Sequence, residues 1–422
     1  MLDSLASHTA SSMGKDHIDL TAVWDQCHSH LRPLKSRLKF AVNDKNREVT
    51  VLAQLRLGTG SWLEEPAEIH FDSNANRFLI SRAELRRLGV LASDANISAV
   101  NARLWCSEPT VLNLEPTTRC NFNCWYCIGR HMKQEDIKVE DFGRVLDHFP
   151  GLKVLALVGE GEPLMHKGFF QIVNQARSRG VRVMIISNGS TLSQSNVKKL
   201  CDHEVAYVGI SIDSADAATF ASSRIDGKLD QVWRGIRRLR QYRDEHGYRY
   251  PKIGLKGTLF DHTRSQLPEI IRVAQSHGVE IFEGFQPLNP MTNYVKIYPR
   301  AQLRELPHVS DVAQIINRDS GAQKHLLQIE SFCRDEGLDL GKNGRSNRLR
   351  NNCDEQWIYS LLSGDVTPCC QIKTPISEKW NIFQNHLSDI LADLEYENTR
   401  FNLWNGLFPK YCDGCYKTRS AT

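Results

Sequence analysis

The octapeptide CNFNCWYC carries three cysteines, Cys120, Cys124 and Cys127, at C-x3-C-x2-C spacing, with Tyr126 directly before the last. Thiolates so spaced are ligands for soft metal centres. Three is one fewer than a structural zinc site uses and one more than a disulfide needs. The fourth ligand is either another side chain, with His131 four residues past Cys127 as the near candidate, or not protein at all. A second patterned group lies far downstream: Cys353, Cys369, and then Cys412 and Cys415 in CDGC. Four thiolates saturate one centre, whether zinc or an iron–sulfur cubane. The other five cysteines, Cys27, Cys106, Cys201, Cys333 and Cys370, are scattered and read as buried small hydrophobes.

These groups sit in a chain of 422 residues, more than one domain usually holds, so two or three units with an ample core are expected. An apolar share of 41% and a charged share of 24% are those of an ordinary globular protein. The net charge of +4 is too mild to mark nucleic acid as a partner. The opening MLDSLASHTASSMGKDH lacks the basic start and apolar run of a secretory signal, and no apolar run reaches the roughly 18 residues of a membrane span. A cytoplasmic location is expected, where cysteines serve as ligands or free thiols rather than as disulfides.

The elements that must position the cysteines are legible between about residues 110 and 290. VLNLE (111–115), KVLALVG (153–159), VRVMIIS (181–187), VAYVGISID (205–213), KIGLKGTLF (252–260) and EIFEGF (280–285) read as buried strands. Amphipathic helices lie between several of them and stop at Gly180, Gly247 and Gly278. Strands alternating with helices predict a parallel sheet wound by right-handed crossovers, an open (β/α)6 barrel of the α/β class. Chemistry in such folds sits at the C-terminal strand ends, and CNFNCWYC follows the first strand. Residues 1–107 have another texture, one helical segment and then short alternating strands, as in a small α+β unit. Residues 300–350 look helical and polar and end in a basic run that includes Lys342, Arg345, Arg348 and Arg350. Such a run is either a solvated surface or an attraction for phosphate or an acidic peptide.

C-x3-C-x2-C after the first strand of a partial barrel resembles the radical S-adenosylmethionine superfamily. In that family three cysteines hold a [4Fe–4S] cluster and the open iron binds the amino and carboxylate groups of S-adenosylmethionine. The fourth ligand would then be the cofactor. Later strand ends resemble the family as well. Gly161, Glu162 and Pro163 in GEGEP are similar to its Gly-Glu-Pro element at the methionine amino group. Ser187, Asn188 and Gly189 end the third strand, and Ser211 to Asp213 the fourth, where the family contacts ribose and carboxylate. Tyr126 matches the aromatic position against the adenine. Simple packing would also account for Tyr126, and helix caps or turns for Ser187 and Ser211. The resemblance implies one-electron reduction of the bound sulfonium and a 5'-deoxyadenosyl radical that removes a substrate hydrogen atom. A flavodoxin or ferredoxin as electron donor is a family implication too.

Cys353, ten residues, Gly364, four residues and Cys369, followed by CDGC, resembles the Twitch auxiliary-cluster domain, the first half of the longer SPASM domain. The glycine spacing selects Cys369 over Cys370. A hairpin over EQWIYSLLSGDVTPCC, turning at Ser363-Gly364, and a helix after it would gather four thiolates around a second [4Fe–4S] cluster. Fully ligated, that cluster would carry electrons; structural zinc is the other occupant of four cysteines. The expected organisation is thus an N-terminal accessory unit over 1–107, a radical barrel over 108–299, and an insertion with the auxiliary cluster over 300–422. The resemblance implies hydrogen abstraction from an unactivated C–H of a carbohydrate-like or other natural-product intermediate, with oxidation favoured. The alternatives are a peptide maturase, for which a three-strand, three-helix winged N-terminal unit would grip a leader, and a non-enzymatic iron–sulfur or zinc scaffold. By position, Arg224, Lys256, Glu283 and Gln286 face the lumen as candidates to orient or deprotonate a substrate hydroxyl.

Overall fold

The computed structural model describes residues 16–27, 49–58, 60–63, 65, 67–72, 74–90, 96–101, 109–288, 291, 295–299, 327–328, 357–393, 395–396, 399–400, 403 and 408–415. Cys353 and the basic run Lys342, Arg345, Arg348 and Arg350 lie outside them, as do Cys106 and Cys333. The chain divides into two compact units, the main body of the first being Met1–Ser107 and that of the second beginning at Glu108.

The first unit holds β1 (His17–Asp19), β2 (Val49–Leu57), β3 (Ala67–Asp72), β4 (Arg77–Ser81) and β5 (Ile97–Asn101), in the sheet order β1-β4-β3-β2-β5. Every pairing in it is antiparallel. β3 and β4 alternate buried and half-buried residues, the signature of a sheet with one covered face. The short helices Thr21–Cys27 and Arg82–Arg87 accompany it, and Trp24 stacks on Phe78 at 3.7 Å. This is the expected α+β character. Among the described residues this order of elements is not that of a winged three-strand, three-helix unit.

In the second unit the strands are β6 (Val111–Leu114), β7 (Val154–Leu157), β8 (Arg182–Ser187), β9 (Tyr207–Ser211), β10 (Lys252–Leu259), β11 (Ile281–Pro287), β12 (Leu327–Gln328), β13 (Ile358–Ser360) and β14 (Val366–Thr367). They form one sheet in the order β12-β11-β10-β9-β8-β7-β6-β13-β14. β6 to β12 run parallel, as the six predicted strands require. The helices between them end where their glycines turn left-handed: Gly180 at φ +75°, Gly247 at +69° and Gly278 at +106°. Two features were not expected. Within the segment read as helical, Leu327–Gln328 adds a strand beside β11. The auxiliary hairpin, which turns at Gly364 with φ +86°, joins the barrel sheet through a parallel pairing of β13 with β6.

Strand alternation sorts the barrel residues into two sets. Leu112, Leu114, Leu155, Leu157, Val183, Ile185, Val208, Ile210, Ile253 and Leu255 face the helices and are almost wholly buried. Each fully buried side chain of this kind contributes about 1.5–3 kcal/mol, so this layer holds the helices on the sheet. On the lumen side Val111, Val154, Met184, Tyr207 and Ile281 form an apolar floor. One or two steps further along the same faces come Asn113, Glu115, Ile186, Asn188, Ser211, Lys256 and Thr258, which line a cavity.

Candidate active site

The cavity has a volume of about 350 Å3, and Cys120, Cys124 and Cys127 line it together with the ends of β7, β8 and β9. The cysteine loop is tied to its surroundings by main-chain bonds. Cys127 N donates to Cys124 O at 3.1 Å, and Asn123 N donates to Ile225 O at 2.8 Å. Arg130 Nη2 donates to Thr118 O at 2.7 Å and to Glu160 O at 3.0 Å. Burial pushes the Cys124 thiol up to about 11, with Arg224 working against the rise. Burial raises Cys120 and Cys127 too, and the Glu160 carboxylate adds to the rise at Cys127. A centre that binds thiolates displaces those protons on assembly. His131 is exposed on the turn Ile128–His131 and does not line the cavity, so the geometry does not make it the fourth ligand. Among the described residues no three Cys, His, Asp or Glu side chains are gathered as for a single metal ion. A cubane asks for less, since its three thiolates bind three different irons.

GEGEP forms the wall beside the cysteine loop. Glu162 N donates to Arg119 O at 2.8 Å. A Cβ at Gly161 would stand 2.4 Å from Thr117 O and 2.6 Å from Arg119 O. Only glycine lets this turn lie flat on the loop that leads to Cys120. Pro163 opens the turn Pro163–Met165, where its fixed φ suits the first position. The Glu162 carboxylate is buried and accepts from Ser187 Oγ at 2.9 Å, Asn188 N at 2.7 Å, Thr191 Oγ1 at 3.0 Å and Leu164 N at 3.3 Å. Burial raises its pKa against these four bonds. Ser187 and Glu162 thus brace each other. Asn188 Nδ2 donates to Asn121 Oδ1 at 2.9 Å and lies 3.7 Å from Cys120 Sγ. This close packing carries a prediction. Gly161→Ala should weaken S-adenosylmethionine binding by at least about tenfold, equivalent to about 1.4 kcal/mol, through displacement of the turn; equilibrium dialysis with labelled cofactor reads it. Unchanged binding would show that the turn does not shape the cofactor pocket.

Asp213 is fully buried at the end of β9, and its carboxylate is shared out within the protein. Arg224 holds it with two bonds of 2.8 Å, from Nε and Nη2. Tyr126 OH donates at 2.8 Å and Thr258 N at 2.9 Å. Burial and the Asp213 charge raise the Tyr126 phenol well above its usual range, against the Arg224 charge. Tyr126 therefore reaches the cavity wall as a ring anchored at its hydroxyl, packed 5.2 Å from Phe260 and 5.4 Å from Trp125. Arg224 lines the cavity with its guanidinium committed to Asp213. Both residues act here on Tyr126 and the cysteine loop.

Lys256 and Glu283 are brought together, Nζ to Oε1 at 2.8 Å, and Tyr207 OH donates to Glu283 Oε2 at 2.8 Å. The β10–β11 register shifts here, with Leu255 opposite Phe282 and Lys256 opposite Gly284, so that Glu283 is the extra residue of a bulge. Bulges re-aim a side chain next to a site, and Gly284 at φ +128° supplies the unusual backbone. Gln286 stands opposite Thr258 on the same pair of strands. Ser211 ends β9 opposite Lys256 and lines the cavity.

Three charged side chains that line the cavity escaped the sequence reading. Lys373, just past the auxiliary hairpin, reaches Glu115 Oε1 at 2.5 Å and Glu160 Oε1 at 3.0 Å, with 10% of its side chain exposed. Burial opposes the charge on Glu160, but Lys373 with the hydrogen bonds from Cys127 and Gly129 N outweighs it and leaves this carboxyl lowered. For Glu115 burial wins, helped by the Glu160 charge, and its pKa is raised although Lys373 and the Leu362 N–H ease it. Glu115 Oε2 is buried with no hydrogen-bond partner among the described residues. Glu115 and Glu160 stand at strand ends, where the fold places chemistry; Lys373 carried no signal of its own.

Of the downstream cysteines, Cys369, Cys412 and Cys415 are described and Cys353 is not. Cys369 and Cys412 both act on the buried Tyr411 phenol and raise its pKa, after burial itself. CDGC closes as a turn, Cys415 N donating to Cys412 O at 3.0 Å, with Gly414 at φ +83°. Cys370 lines the barrel cavity, so it is not the buried hydrophobe its scatter suggested. Cys201 is, at 0% exposure.

Comparisons with known proteins agree with this geometry. Residues 114–252 match the Radical SAM superfamily. The chain is 31% identical, over 72% of its own length and 86% of the other's, to the "Tungsten-containing aldehyde ferredoxin oxidoreductase cofactor-modifying protein" of Pyrococcus furiosus. Its fold resembles Streptococcus suis SuiB bound to S-adenosylmethionine, at TM-score 0.56 and 18% identity, over 75% of each chain. It also resembles anSMEcpe with bound AdoMet, at TM-score 0.53 and 15% identity, over 74% of this chain and 95% of that one.

Proposed function

The chain belongs to the radical S-adenosylmethionine superfamily, and from that premise we propose that it abstracts a hydrogen atom from an unactivated C–H of a polar small molecule held in the barrel cavity. As a member of the family it is an enzyme whose cofactors are S-adenosylmethionine and a [4Fe–4S] cluster. When bound, these supply a 5'-deoxyadenosyl radical, which takes the hydrogen. Cys120, Cys124 and Cys127 hold the cluster. The strand ends at Gly161–Pro163, Ser187–Asn188 and Ser211, with the anchored Tyr126 ring, hold the S-adenosylmethionine. The barrel excludes water and fixes the substrate carbon beside the reacting atom.

The observation that carries the substrate class is the charged wall of the cavity. Asn113, Glu115, Ser211 and Thr258 line it, polar and charged groups that suit a substrate bearing hydroxyl or amino groups. Lys256 lines the same cavity. The name of the Pyrococcus furiosus relative, a cofactor-modifying protein, supports a small-molecule substrate for this chain as well. Cys353, Cys369, Cys412 and Cys415 are proposed to hold a second, fully ligated [4Fe–4S] cluster. A cluster so held would supply a one-electron oxidant, which with loss of a carbon-bound hydrogen atom and a hydroxyl proton balances oxidation of a substrate alcohol to a ketone; the Glu283 carboxylate, held by Lys256 at 2.8 Å, would take that proton. A small low-potential iron–sulfur or flavin protein supplies the electron that starts the cycle.

The test is anaerobic. Wild type and a Cys412→Ala/Cys415→Ala variant are assayed for iron, sulfide, zinc and 5'-deoxyadenosine, with and without polar metabolite fractions. About eight irons in wild type, about four in the variant, cleavage in both, and turnover raised by small polar molecules are expected. Zinc in place of iron at the C-terminal cysteines removes the oxidant and makes a redox-neutral outcome the better reading. Turnover raised only by peptide fractions overturns the substrate class.

A further inference from the structure

Lys373 lies outside the cofactor motifs, yet it sits one residue removed from a cluster sulfur. Glu160 Oε2 is 3.3 Å from Cys127 Sγ and 3.2 Å from Gly129 N. Its other oxygen, Oε1, is 3.0 Å from Lys373 Nζ. The cysteine loop is pressed onto Glu160 so closely that a Cβ at Gly129 would stand 2.5 Å from both Glu160 Cβ and Glu160 O. Lys373 is also 2.5 Å from Glu115, so one buried cation faces two carboxylates. Arg130, the other cation nearby, is bonded to the Thr118 and Glu160 carbonyls.

A cysteine that ligates iron is a thiolate and no longer donates to Glu160. The carboxylate and the sulfur then repel, and reduction of the cluster adds a further negative charge beside them. In a buried setting such charges act strongly on one another. We propose that Lys373 is a positioning residue that holds Glu160 beside Cys127, and that the Glu160–Lys373 pair sets how readily the S-adenosylmethionine-binding cluster is reduced. Negative charge from Glu160 disfavours the reduced cluster and positive charge from Lys373 favours it. The hairpin that carries the second cysteine group thereby also tunes the first cluster. This inference rests on the assignment of that cluster to Cys120, Cys124 and Cys127.

The test is an EPR-monitored redox titration of the full-length protein, following the signal that added S-adenosylmethionine perturbs. Iron content is measured on each preparation. Glu160→Gln should shift the midpoint upward and Lys373→Met downward. Lys373→Arg, which keeps the charge, should stay near wild type, and the Glu160→Gln/Lys373→Met pair should fall between the single variants. Opposite shifts are the signature of charge, because a packing defect has no reason to change sign between the two. Loss of the cluster in Lys373→Met with retention in Lys373→Arg reports the same charge requirement. Unshifted midpoints, or shifts in one common direction, overturn the inference. A wild type with no iron at the three cysteines overturns the cluster assignment instead, so the two failures are told apart.

Discussion

Replacing Cys120, Cys124 and Cys127 together by alanine is expected to abolish reductive cleavage of S-adenosylmethionine and to remove about four irons per chain, with the fold left in place. The loss should be total because the cluster has no other protein ligand in this reading: His131 is exposed and away from the cavity. The fold should survive because the loop is held by its backbone. Cys127 N to Cys124 O, Asn123 N to Ile225 O and the two carbonyls bound by Arg130 do not involve sulfur. Alanine leaves no buried charge behind and removes only the weak sulfur contacts with Phe122 N, Asn188 Nδ2 and Glu160. Iron and sulfide analysis, the EPR signal of the reduced protein, 5'-deoxyadenosine by chromatography and far-ultraviolet circular dichroism check each part. Cleavage that persisted in the triple variant would remove these cysteines from the active site.

The second large effect is on stability. Arg224→Met should destabilise the protein by about 3–5 kcal/mol, the cost of leaving one partner of a buried ion pair alone. Arg224 supplies two of the four short bonds to the Asp213 carboxylate, which has no exposure to solvent. Without the guanidinium, Tyr126 OH and Thr258 N face an uncompensated buried charge. The apparent thermal midpoint should fall on the order of 10 °C. Adding Asp213→Asn should recover part of the loss, since the charge that needed Arg224 is then gone. A fall of the midpoint too small to measure, or a double variant worse than the sum of the two singles, would count against this account.

The barrel was legible because its strands announce themselves. A strand buried on both faces must be apolar along its buried length, and VLAL or VMII cannot be hidden in any other way. Helix ends were marked by glycines that take a positive φ, at Gly180, Gly247 and Gly278. The cysteine spacing and GEGEP were equally local, since ligands on one short loop are fixed by sequence distance alone. β13 beside β6 was not legible, as nothing in a three-residue strand states which distant strand it joins.

The same divide runs through the site. Asp213, placed near the cofactor by the strand-end pattern, is bonded to Arg224, Tyr126 and Thr258 N, partners that the sequence did not name. Lys373 bridges Glu115 and Glu160. A charged residue in the sequence states its charge but not its partner. By itself the sequence determined the barrel, the two cysteine groups and the strand ends where chemistry occurs, because these follow from periodicity and spacing. Only the tertiary structure decided which charges share a buried space, because there desolvation forces each charge to find an opposite one among residues far away in the chain.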